Sequence, residues 1–423
     1  MGFLDRLKKR TGWKDIVHDD PPGYREYDAY KVGSVEIPDK LSEENAFILA
    51  NTVAEIFFPI DFYADRCSKV RYYIADRNGV EVPNTELNRF ITDINPFYSF
   101  NELVYQWVFS YNSDGNAIDY ITVPEALQGL PSVSNITRLD ILQPNLVDLR
   151  EYTNISILKA QRLQDLVKSI KYDDASTVNN YLDIERVGIT TIDATRRNQS
   201  LVLSRPPLFK VVRNINGLLA TYSARYNIYV NNGAAGYLVK KAVKENDVMQ
   251  AVDPKGRAEI LADINDRMGL TGNRNLWGIS GVPVEFINTL STIKDLLPLE
   301  ETLEQSVKIA GAYQIPPVLV PRKDQSTYDN QADAERSVWE NGLMSMVQVA
   351  CSAFTKTFRL DKAGYKIMAD YSTVSALKVN DGAVEDTNSK KIDNLKKLKD
   401  AYPEKADIIN KELDKIIESY GNR

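Results

Sequence analysis

Apolar residues fall three and four positions apart along Val212, Ile215, Leu219, Tyr222, Tyr226 and Tyr229. This stripe predicts a helix over 209–229 with a narrow, coiled-coil-like seam, a rod of about 30 Å. Asn231-Asn232-Gly233 ends it. A second helix is predicted over 298–313, with Pro298 in its first turn and Leu299, Leu303, Val307 and Ala310 on one face. Ile315-Pro316-Pro317 breaks that helix. A third is predicted to start with Asn330 as its cap and to carry Trp339, Leu343, Met346, Ala350, Ala353 and Thr357 at steps of four and three. The first two helices bracket an insertion over 234–290. It reads as a polar helix over 254–268 followed by hairpins turning at Gly269, Gly272, Gly278 and Gly281. A polar segment without an apolar run, Pro321 to Tyr328, joins the second helix to the third.

The first half has a different texture. A short amphipathic start (Phe3, Leu4, Leu7) gives way to an arm rich in Pro and Asp. Ser42 is placed to cap a helix with Glu43 and Glu44 in its first turn. Phe47, Ala50, Ala54 and Phe57 make its apolar stripe, and Pro59 is expected to end it. Val70 to Val82 reads as a hairpin turning at Asn78-Gly79. Leu87 to Ile94 reads as a short helix stopped by Asn95-Pro96. Ser99 and Glu102 then have capping-box spacing, ahead of a helix carrying Leu103, Val104, Trp107 and Val108. Short strands follow over 116–172 and again over 181–203, so the expected class is α+β. The tail, 380–423, reads as a Lys-rich helical pair broken near Pro403, with its lysines on a solvated face.

Composition narrows the chemistry. With 43% hydrophobic and 26% charged residues, the 423-residue chain has ample material for a core. Its net charge of −6 argues against a general nucleic-acid binder but does not exclude a protein that surrounds DNA without gripping it. Cys67 and Cys351 stand alone, which fits buried hydrophobes better than a zinc site. His18 is the one histidine, so no His-based triad can be built around a core. No apolar run reaches the length of a membrane span. There is no P-loop, no dinucleotide fingerprint and no nucleophile elbow. Asn112 to Asn116 lacks the downstream Glu of a calcium loop and is expected to be a turn. No cofactor is expected.

Several short motifs in order resemble the portal proteins of long-tailed bacteriophages. They are the opening Met1 to Lys9; Asn95-Pro96 with Ser99 to Leu103 and Gly115-Asn116-Ala117; Tyr229 to Ala234; Ile309 to Leu319; and Tyr328 to Ala334. Ile118 stands where the family has an aromatic, and Ser345-Met346 where a Leu-Pro is frequent. The tail beyond 360 carries no part of the resemblance.

The resemblance implies an elongated α+β subunit. Residues 1–40 would be an arm and 41–207 the α/β wing. The paired stem helices would be 208–230 and 291–315, flanking a small α/β clip over 231–290. A tunnel loop over 316–331 would precede a long tunnel helix and wing return, 332–375, and a helical crown, 376–423. Stem packing would fall to Val212, Ile215, Leu219, Tyr222, Tyr226, Leu299, Leu303 and Val307. The loop residues facing DNA would be Arg322, Lys323, Asp324, Gln325, Ser326, Thr327 and Tyr328, and Asn330, Trp339, Leu343 and Met346 would mark the tunnel helix. The implied role is a ring, about dodecameric, at one capsid vertex in the virion, assembled in the host cytoplasm. Its partners would be its own copies, the major capsid protein, the terminase large subunit, a head-completion protein and passing double-stranded DNA, with no membrane. Catalysis would belong to the terminase. Another oligomeric neck or tail component, and a DNA-processing enzyme, remain the alternatives.

Overall fold

The computed structural model describes residues 38–83, 85–124, 131–153, 155–173, 180–192, 195–197, 200–230, 236–240, 255, 284–288, 298–321 and 328–377. The chain divides into two units, Met1–Ile37 and Pro38–Arg423, and every described residue belongs to the second. The expected N-terminal amphipathic helix, the polar helix and glycine turns of the insertion, and the tail helices lie outside the described residues.

Helix α1 (Ala46–Thr52) follows Asn45, not Ser42; the Ser42 amide instead donates to Asn45 Oδ1 at 2.8 Å. Val53 is extended and breaks the path, so α2 (Ala54–Ser68) leaves α1 at 95°. Pro59 lies inside α2 and does not end it. It sits near the N-terminal end, so the helix loses a single bond there, while Ile60, Tyr63, Ala64 and Cys67 extend the buried face for two more turns.

Strand β1 (Arg71–Ala75) corrects the hairpin expectation. The turn exists, with Asp76 N–H donating to the Val80 carbonyl at 2.9 Å and Gly79 at φ +87°. The return segment, however, makes one bridge, Ala75↔Glu81. Its Val80 is 63% exposed and offers no apolar face. The full ladder of β1 is with the distant β10, from Arg71↔Asp370 to Ala75↔Lys366.

Helix α3 (Thr85–Thr92) is short, as expected. Helix α4 (Phe100–Asp114) begins at the predicted capping box: Glu102 N–H donates to Ser99 Oγ, and the Ser99 amide donates to Glu102 Oε2 at 2.7 Å. Leu103, Val104, Trp107 and Val108 are fully buried. Gly115 closes the helix in the left-handed region at φ +83°. A Cβ there would meet the Arg205 carbonyl at 2.7 Å, so only glycine fits. The turn expected over Asn112 to Asn116 reduces to Gly115 alone, because Asn112 to Asp114 still belong to α4 and Asn116 opens the next strand. The segment is buried, with Asp114 paired to Arg197 and Asn116 bonded to Asp114 and Ser204.

Strands β2 (Asn116–Thr122), β3 (Arg138–Leu142), β4 (Val147–Glu151), β5 (Val167–Tyr172), β6 (Asn180–Leu182) and β7 (Val187–Thr191) form two antiparallel three-stranded sheets, ordered β3-β2-β7 and β4-β5-β6. A small apolar cluster around Ile118, Val167 and Ile170 is separate from the main core under α2 and α4.

After a 3-10 turn (Pro207–Val211), α5 runs Val212–Val230. Strands β8 (Gly236–Lys240) and β9 (Val284–Asn288) pair antiparallel, so the insertion opens and closes on one ladder. Helix α6 (Pro298–Ala312) packs on α5, with Asn214 Nδ2 donating to Gln305 Oε1 at 2.6 Å.

The third predicted helix is three pieces: α7 (Tyr328–Val338), a π turn (Trp339–Leu343) and α8 (Met344–Thr357). Asn330 is the third residue of α7 and exposed, so it is not the cap. Beyond Leu343 the buried face holds Val347, Ala350, Cys351, Ala353 and Phe354, so the expected Ala350 and Ala353 are buried, while Met346 is only half-buried. A short α9 (Leu360–Ala363) and strand β10 (Lys366–Asp370) bring the chain back to β1. Cys67 and Cys351 are both buried, which raises each thiol far above its ordinary range.

Candidate functional site

The polar segment between α6 and α7 is held at both feet. Helix α6 ends in a Schellman arrangement: Ile315 N–H donates to the Ala310 carbonyl at 3.1 Å and Gln314 N–H to that of Gly311 at 2.9 Å. The position between them needs a left-handed residue, and Gln314 takes it at φ +59°. Ile315 and Val320 are buried on either side of Pro316-Pro317, which fixes the first foot. Arg322, Lys323, Asp324, Gln325, Ser326 and Thr327 lie outside the described residues; Tyr328 opens α7 at the second foot.

Helix α2 grips both feet. The Tyr63 hydroxyl donates to the Tyr313 carbonyl at 2.8 Å, and the Tyr313 hydroxyl donates to the Asn112 carbonyl at 2.8 Å. One turn on, Arg66 Nε meets Glu335 Oε1 in α7 at 2.8 Å. Gly342, in the π turn, leaves the space that the Tyr63 hydroxyl fills. Burial, with a smaller push from Cys67, raises the Tyr63 phenol to about 12, and burial raises Tyr313 further, so both stay neutral donors. Nothing in the sequence singled out Tyr63; a tyrosine on an apolar helix face reads as ordinary core.

The stem residues are placed unevenly. Ile215 and Leu219 are buried along with Leu218, while Val212, Tyr222 and Val307 are half-buried against the core. Tyr222 donates its hydroxyl to Glu55 of α2. Leu303 is 40% exposed, whereas Ile309 and Ala310 in the C-terminal half of α6 are fully buried. The side chains of Tyr226 and Leu299 lie outside the described residues.

A second buried polar group, Asp119, joins β2 to the end of α8. Thr357 donates to its Oδ2, while Oδ1 has no hydrogen-bond partner. Trp107 Nε1 is near enough to favour the charged carboxyl but falls short of hydrogen-bond geometry. Burial dominates and lifts the carboxyl from 3.8 to about 6, against the opposing pull of Thr357. Burial likewise outweighs Arg197 at Asp114 and raises that carboxyl. Among the described residues no group of three or more His, Cys, Asp or Glu could hold a metal ion, and no single helix is long and apolar enough to cross a membrane.

The architecture is that of a known class of virion component. The chain superposes on a subunit from the neck of an empty gene transfer agent particle with TM-score 0.54 and 15% identity, covering 82% of this chain and 89% of that one. A subunit from the neck of the native particle, computed with C12 symmetry, gives 0.50 and 14% over 83% and 89%. The HK97-family phage portal protein of Corynebacterium diphtheriae gives 0.50 and 10% over 78% and 97%. No curated protein matches the sequence. The phage portal protein family model matches residues 54–380, and the chain belongs to that family. The family is a structural one.

Proposed function

We propose that the chain is one subunit of a closed ring at a capsid vertex, the conduit through which double-stranded DNA is packaged and ejected. The observation that carries this reading is the family match across 54–380, over a chain in which two packed helices bracket an insertion and lead into an anchored polar loop. On it, 41–207 is the wing and α5 and α6 are the stem. The insertion is the clip, which docks the terminase large subunit and later a head-completion protein. The crown, 376–423, lies inside the capsid. Assembly occurs in the host cytoplasm and the ring ends in the virion, against the major capsid protein.

The loop 322–327 faces the channel. Arg322 and Lys323 touch phosphates transiently, and Asp324 with the net charge of −6 keeps the grip weak. The clamp from α2 supports this role, because a loop meeting a moving polymer needs fixed feet.

Native mass and negative-stain images of the full chain test the ring. About twelve copies of 47.8 kDa give a particle near about 570 kDa with a central hole. A stable dimer or tetramer overturns the reading. Deleting Lys323 to Thr327 should leave rings intact and impair packaging; loss of the ring in that deletion would make the loop structural.

A further inference from the structure

Nine large hydrophobic side chains are exposed among the described residues, and most of them gather on two surfaces. Tyr152, Ile155, Ile157 and Leu158 share one loop, with Leu158 at 93% exposure. Tyr98 and Tyr181 lie in a groove of about 670 Å³ lined also by Phe47, Tyr105, Phe109 and Tyr172, with polar Gln106, Arg138 and Asp140 sharing its wall. That volume is within the range of sites that bind an apolar group.

The loop is a tongue tied at its base. Tyr152 N–H donates to the Leu166 carbonyl at 2.9 Å across its base. Ile157–Lys159 is a 3-10 turn, and Asp165 accepts from the Gln161 and Arg162 amides at 2.8 and 2.9 Å.

The two surfaces lie at opposite ends of one sheet. Register pairs Val147 with Tyr172 at the groove end, and Glu151 with Val167 at the tongue end. Five residues of strand, about 14 Å, separate them. A subunit cannot insert this tongue into its own groove across that ladder, but a neighbour can. A protrusion and a complementary pocket on different parts of one chain make a head-to-tail contact, which closes into a ring when the rotation allows.

We propose that the 155–158 tongue of each subunit docks in the aromatic groove of the next, so that the wing carries an apolar ring contact of its own. This rests on the ring reading above. Leu158 is the anchor, seated among Tyr98, Tyr172 and Tyr181, and Ile155 and Ile157 close over the rim.

The test uses the full-length chain. Leu158→Cys is modified with a maleimide benzophenone; Cys67 and Cys351 are buried, so the label goes to position 158. Irradiation of assembled rings should join two copies, with the adduct mapped to peptides around Tyr98–Phe109 or Tyr172–Leu182. In parallel, Leu158→Asp should weaken ring formation at least about tenfold with an unchanged unfolding midpoint, since the side chain is solvent-exposed in the subunit. Rings whose adducts fall within one chain, on residues 1–37, or on any other surface overturn the contact and leave the ring reading standing. So does a Leu158→Asp protein that assembles normally. A wild-type chain that forms no ring overturns both.

Discussion

The hydroxyl of Tyr63 occupies the place where a side chain on Gly342 would have to stand. Two elements nearly 280 residues apart are therefore fitted to each other at one atom: a phenol in α2 and a bare backbone in the π turn. Gly342→Ala should destabilise the fold by about 1–3 kcal/mol, because the phenol must leave the Tyr313 carbonyl to make room. In a Tyr63→Phe background the same change should cost less. A denaturant-based double-mutant cycle measures the coupling, and additive costs would separate the two residues.

Gln314 holds a left-handed conformation that ordinarily falls to glycine. Gln314→Gly should stabilise the subunit by about 0.5–1 kcal/mol, read as a shift in the chemical-denaturation midpoint without a change in slope. Gln314→Val should do the opposite, since β-branching adds strain at positive φ.

Asp119 makes stability depend on pH. Its folded value of about 6 lies above its ordinary 3.8, so between these the native state binds more protons than the unfolded chain. Stability from this group is present at the acid end and falls as pH rises through about 6, by roughly 3 kcal/mol. Asp119→Asn removes that slope, so relative to wild type the variant should gain stability between pH 4 and pH 7. Parallel unfolding curves at the two pH values check it; an unchanged difference would mean that Asp119 is not the titrating group.

Tyr222 donates to Glu55, whose second oxygen is buried without a partner. Tyr222→Asp places a second negative charge there and should cost more than about 2 kcal/mol. Rings from this variant should be unstable in negative stain. Raising salt should restore only part of the stability, because the pair is half-buried.

What the sequence discloses depends on range. The start of the helix at Phe100–Asp114 was legible because Ser99 and Glu102 mark it within a few residues, whereas its end was expected too early, at Asn112. The stripe Ile215, Leu219 was legible from its spacing. The partner of β1 was not: Asn78-Gly79 is a sound local turn signal, and nothing local reports that Ile74 lies against Ile367. The end of α2 was misread at Pro59 because proline forbids one bond, whereas the buried face continues past it. In the third helix the spacing found Trp339, Leu343, Ala350 and Ala353, all buried, but not the π turn, which leaves no signature in a count of threes and fours. At the loop base, the residues that hold the feet are Tyr63, Arg66 and Gln314, and each is recognised only by the atom it touches across the fold.

The ladder between β1 and β10 also sets an order of events. A ribosome has released Arg71–Ala75 long before Lys366–Asp370 exists, a lag of some 290 residues. At about 5–20 residues per second, that edge waits on the order of 15–60 s for its mate. Until then Tyr72 and Ile74, buried in the finished subunit, border an open strand that could join another chain. Completion of the subunit is thus timed by the arrival of its last described strand, and a nascent chain cut short before Lys366 is left with a sticky edge.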